Sequence, residues 1–202
     1  MVGTIERGFT VDAHTTTRRG VMMARGDKAL EAMFNRHSLD DFRWIDPKDI
    51  VVSQWVRMKC MYGCDLYGKG GCCPPAVPSV AECERFFKEY RQAVIFHFHK
   101  RVKRPEDRHA WTRGVNARLL KLERDVFLAG NERAFLLYLD TCELCKECAG
   151  SRLACRDKQR ARPTADALAV DVYTTVRKAG YHIEVLKDYR QPMDRYAFLL
   201  VR

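Results

Sequence analysis

Apolar positions recur along the chain at two periods, and the alternation between them predicts its elements. Leu30, Met33, Phe34 and His37 follow Asp27 at helical spacing, so a short helix capped by Asp27 is expected there. Residues 50–58, Ile-Val-Val-Ser-Gln-Trp-Val-Arg-Met, are rich in β-branched and aromatic side chains and read as a strand. Ser79-Val80-Ala81-Glu82 forms a capping-box pattern, which predicts a helix from about 80 to 91 with Val80, Cys83 and Phe87 inward. Ala93 to His99 reads as a second strand. Pro105 then opens a longer helix on which Trp111, Val115, Leu119, Leu122 and Val126 make one stripe, ending near Gly130-Asn131. Ala134 to Thr141 is a third predicted strand. Thr164 is expected to cap a helix with Leu168, Val172 and Val176 inward and Gly180 at its end. Two antiparallel strands, 182–187 and 195–201, are expected to close the chain around a turn at Pro192.

Strands alternating with helices imply an α/β fold, a mixed-sheet sandwich. Residues 1–25 are polar and aperiodic and read as an N-terminal arm; 26–202 read as a single α/β domain. No internal repeat or low-complexity tract interrupts it.

Composition changes this picture in one respect. The 202 residues are 47% hydrophobic and 31% charged, ordinary for a folded protein, with a net charge of +10. Nine of them are cysteines, an odd number that full disulfide pairing cannot use. A chain this long needs no disulfide staples. Residues 1–27 contain no apolar signal segment, and Ala134 to Leu139 is the longest strictly apolar run, far short of a membrane span. A cytoplasmic location is therefore expected, where grouped thiols point to metal or redox chemistry.

The cysteines are grouped. Five lie between Cys60 and Cys83, four between Cys142 and Cys155, and none elsewhere. Cys142-x2-Cys145-x2-Cys148-x6-Cys155 is the stronger block. Its tight repeat suits the corners of a [4Fe–4S] cluster, whereas zinc sites pair two knuckles a dozen or more residues apart. Five cations, Arg152, Arg156, Lys158, Arg160 and Arg162, stand against Asp157 between 150 and 163 and would offset thiolate charge. Cys60-x3-Cys64 and Cys72-Cys73-Pro74-Pro75 make the first block, where Cys60, Cys64 and Cys73 are the expected ligands of a second cluster or metal with one open position. Adjacent side chains point apart, so one of Cys72 and Cys73 is expected to bind; Cys73 precedes proline, as in ferredoxin runs. Cys83 fits either a fourth ligand or the apolar stripe of its helix.

Other patterns weigh less. Gly63-x4-Gly68-Lys69-Gly70 resembles a phosphate loop but lacks its Ser/Thr, and Pro74-Pro75 blocks the helix that must follow. His97 and His99 share one strand face and read as a surface pair beside the basic run Lys100 to Arg104. No nucleic-acid motif accompanies that run, so nucleic acid is not an expected partner.

The residues Val56-Arg57-Met58-Lys59-Cys60-Met61-Tyr62-Gly63-Cys64, Tyr67-Gly68-Lys69 and Cys73-Pro74-Pro75 resemble an uncharacterised family of bacterial and archaeal predicted metal-binding proteins. Leu122-Glu123-Arg124, Phe127-Leu128-Ala129-Gly130, the second cysteine block, Ala161-Arg162-Pro163 and Asp171-Val172 extend the resemblance over about residues 50–187. It implies metal binding of iron–sulfur type and supplies no reaction. Cys72, and Asp157-Lys158 in place of His-Pro, depart from its pattern. The resulting expectation is a cytoplasmic [4Fe–4S] protein on Cys142, Cys145, Cys148 and Cys155, acting in electron transfer with a redox partner or on a small-molecule substrate. The alternatives are a zinc-binding module recruiting an acidic partner, and one composite site drawing on both blocks.

Overall fold

The computed structural model describes residues 27–188 and 190–202. The polar arm expected over 1–25 lies outside them. Nine regular elements follow in order: α1 (Lys28–Arg36), β1 (Phe42–Ile45), α2 (Gln54–Gly63), α3 (Val80–Lys88), β2 (Ala93–Lys100), α4 (Asp107–Leu128), β3 (Phe135–Leu137), α5 (Val172–Lys178) and β4 (Met193–Leu200), with a single 3-10 turn at Pro47–Asp49.

The four strands form one sheet in the order β1-β2-β4-β3, antiparallel at every pairing. This corrects the mixed sheet expected from the sequence. β2 and β3 do run the same way, joined by the crossover helix α4, but β4 inserts between them and pairs with both. The C-terminal strand therefore supplies antiparallel neighbours where parallel ones were expected.

Side chains alternate across the sheet and feed two cores. Val94, Phe96, Ala197 and Leu199 pack with Leu30 and Phe34 of α1 and Leu119 and Leu122 of α4. Ala93, Ile95, Phe198 and Leu200 pack on the other face with Phe87 of α3 and Val176 of α5. Both faces of β2 are thus covered, which explains its unbroken apolar run.

Local signals set most boundaries. Asp27 caps α1 by accepting from the Ala29 and Leu30 N–H groups, and both bonds of the Ser79–Glu82 capping box are present at α3. Three other expectations are corrected. Residues 50–58 are not a strand: only Val52 bridges, to Val170, and from Gln54 the chain is helical. Thr164 opens a turn rather than a helix, accepting from the Ala167 N–H; Ala169 then takes φ 61°, and α5 starts afresh under Asp171. Residues 182–187 form no strand. Among the described residues no helix is long and apolar enough to cross a membrane.

Candidate metal centre

Two segments without helix or strand project from this frame, 64–79 after α2 and 141–163 after β3. They meet. The Gly71 N–H donates to Cys148 Sγ at 3.3 Å, and the Cys72 and Cys142 side chains are hydrogen-bonded to each other. A Cβ on Gly71 would stand 2.8 Å from the Ser151 carbonyl oxygen, so only glycine allows this approach. Gly68 and Gly150, at φ 73° and 76°, turn the two loops towards one another.

Between the loops lies a cavity of about 280 Å³, lined by Cys72, Cys73, Cys142, Cys145, Cys148 and Cys155. The whole second block is therefore brought together, and the first loop adds both of its adjacent cysteines. Cys72 and Cys73 flank the turn that the Cys73 N–H closes onto the Gly70 carbonyl at 3.0 Å, and they meet different partners: Cys72 bonds Cys142, whereas Cys73 is bonded by Thr141. Cys60 and Cys64 do not line this cavity; they lie on α2 and at its C-cap. They form a second neighbourhood with Cys73 and Asp166, whose charges act on the Cys60 thiol. Cys83 is buried in α3 and donates weakly to the Pro78 carbonyl. Among the described residues, no three His, Cys, Asp or Glu side chains converge so as to hold a single ion.

Electrostatics differ across the thiols. Burial, then the Asp166 and Cys64 charges, push Cys60 up to about 11. Burial also raises Cys73, against a hydrogen bond from Thr141. Cys142 is lowered to about 6, first by the hydrogen bond from Cys72 and then, against burial, by backbone N–H groups; Cys72 is raised correspondingly by holding the shared proton. Two of the five cations expected to offset the cysteines are paired with carboxylates, while the Arg152 charge acts on Cys72. Arg160 pairs with Asp157, and Arg162 grips the carboxylate of Glu123 at 2.9 Å.

Supports for the second loop come from α4. Asn116, buried, accepts from the Leu139 N–H at 3.0 Å and donates to the Leu139 carbonyl at 3.0 Å. Glu123 accepts from the Leu136 N–H at 2.9 Å besides holding Arg162. Thr112 donates to Asp140, which takes φ 55° two residues before Cys142. Glu123 falls in the Leu122-Glu123-Arg124 block of the family resemblance, whereas Thr112 and Asn116 carry no motif; the signal for Asn116 is that it and Glu123 are polar positions seven apart on the inward face of an apolar helix. On the first loop, Arg57 donates to the Pro78 and Ala167 carbonyls, both at 3.1 Å, fixing the α2 face that carries Cys60. His97 is half-buried against Tyr181 and Tyr196 and bonds Asp41 and Asp194, while exposed His99 bonds Asp194, so the expected surface pair holds for His99 alone.

The model of a family described as "Predicted metal-binding protein (DUF2284)" matches residues 43–201, from β1 through the last residues of β4. The chain belongs to this family. Comparisons with the curated proteins and with the solved structures return no match. The residues present are compatible with the family's description: six thiols, a donor type suited to thiophilic metals, line one cavity, and all nine cysteines are free rather than disulfide-bonded.

Proposed function

We propose that this member of the family is a cytoplasmic iron–sulfur protein, with Cys142, Cys145, Cys148 and Cys155 holding a [4Fe–4S] cluster. The observation that carries the reading is the cavity itself: all four cysteines of the tightly spaced block line one partly open space of about 280 Å³ rather than converging on a point, which suits a multi-iron cluster. Cys60, Cys64 and Cys73 are the ligands of a second metal site on the α2 side. A bound cluster supplies one-electron chemistry, serving electron transfer with a redox partner or a small substrate at an open iron. The chain's own contribution is placement. Asn116 and Glu123 set the path into Cys142, Gly71 lets the first loop close over the second, and Arg57 fixes the helix bearing Cys60.

Anaerobic purification tests this. The protein should be brown, absorb broadly near about 400 nm, and carry iron with acid-labile sulfide. Cys145→Ser should remove one cluster's worth of iron, about four atoms per chain. A colourless protein holding zinc, or iron unchanged in Cys145→Ser, would overturn the assignment.

A further inference from the structure

A second cavity, of about 290 Å³, lies behind the cysteine cavity and shares the wall residues Gly71, Cys72 and Ala161 with it. Its remaining wall is chiefly apolar, with Val77, Phe86, Phe135 and Leu168 prominent. At about 30 Å³ per water-sized group, it has room for roughly ten non-hydrogen atoms. Two arginines line it, and they are not equivalent. Arg162 is neutralised by Glu123, with its Nε 2.9 Å from Oε1 and its Nη2 2.9 Å from Oε2. Arg152 is exposed, donates through Nη2 to the Lys158 carbonyl at 2.7 Å, and among the described residues has no carboxylate partner. An apolar chamber with one uncompensated guanidinium at its wall complements a ligand that is apolar over most of its length and carries a single negative charge. A phosphate dianion would call for more positive charge than one guanidinium offers.

We infer that this pocket binds a small organic acid, its carboxylate on Arg152 and its apolar body against Phe86 and Phe135. The ligand then lies against the Cys72 wall of the cysteine cavity, the position a small-molecule substrate or effector of a bound cluster would occupy. Phe86 of α3 and Phe135 of β3 belong to the sheet-and-helix frame rather than to the cysteine loops, and acid binding and iron content are read separately on one sample.

Calorimetry with 3-phenylpropanoate and with its neutral amide, 3-phenylpropanamide, on the purified full-length protein tests this. Iron is quantified on the same sample. The acid should bind at least about ten-fold more tightly than the amide, the difference one charge-assisted pair makes. Arg152→Gln should bring the acid down to the amide's affinity, and Ala76→Trp, which fills the half-buried wall, should remove binding of both. Equal binding of acid and amide, acid binding unchanged in Arg152→Gln or in Ala76→Trp, or no binding of either probe overturns the pocket. Iron-free protein that still shows the acid preference keeps the pocket and rejects the cluster, whereas iron-loaded protein without it does the reverse.

Discussion

Gly71 is the residue on which the two cysteine loops depend for their contact. Its missing Cβ would otherwise meet the Ser151 carbonyl oxygen at 2.8 Å and carbon at 2.9 Å, and backbone atoms cannot swing aside as a long side chain can. Gly63 offers the matched control, since a Cβ there meets nothing within 4 Å. Gly71→Ala should therefore lower stability by about 1–3 kcal/mol and reduce the metal carried per chain. Gly63→Ala, at the end of α2, should leave metal content unchanged and stability equal or slightly higher. Thermal melts and metal analysis of the two variants check this; equal metal content in both would mean that the loops need not touch. The adjacent pair Cys72-Cys73 belongs to the same scale. The turn that the Cys73 N–H closes onto the Gly70 carbonyl sets where each of the two stands, and such a turn leaves only a composition signal in the sequence.

At the scale of elements, legibility depended on whether a segment's partners were local. The Ser79–Glu82 box lies within four residues and marked its helix correctly. Residues 50–58 misled because two signals abut: Val51 and Val52 bond across to Asp171 and Val170, while the helix formers from Gln54 onward take over two residues later, after Ser53. Thr164 misled because Ala169, held in the left-handed region with its carbonyl accepting from Ser53, ends the turn before a helix can propagate. The stripe of α4 was legible, yet its buried exceptions carry the site. Asn116→Leu keeps the branched shape, adds bulk, and leaves the Leu139 N–H and carbonyl without their Asn116 partner, at a cost of about 2 kcal/mol or more. Because Leu139 lies three residues before Cys142, the variant should also release metal at lower denaturant concentration than the whole chain unfolds. Urea titration followed by circular dichroism and by metal release separates the two transitions. Coincident midpoints would show that Asn116 supports the core alone.

For the whole molecule, the decisive arrangement is that the cysteine cavity sits beside the cores rather than inside them. The two apolar layers are built on the sheet with α1 and α4 on one face and α3 and α5 on the other; Cys142 only packs against one layer, and the remaining cavity cysteines join neither. Those loops hold few regular hydrogen bonds, so thiol–metal bonds would supply most of what fixes them together. That order was partly hidden from the sequence. The blocks were legible from spacing, but their meeting required β4 to enter the sheet between β2 and β3, a pairing set by contacts about 60 to 100 residues apart that no local pattern encodes. The consequence is testable by stripping the metal with a chelator under reducing conditions. The stripped protein should keep its far-ultraviolet dichroism and a cooperative melt, at a lower temperature because a ligand of the native state has been lost. Trypsin should cut it sooner at Lys69, Lys146, Arg152, Arg156 and Lys158, all in the two loops, while α4 and β2 persist in the protected fragments. Complete unfolding on chelation would show that the two layers do not hold without the metal. Unchanged cleavage in the loops would place the metal elsewhere.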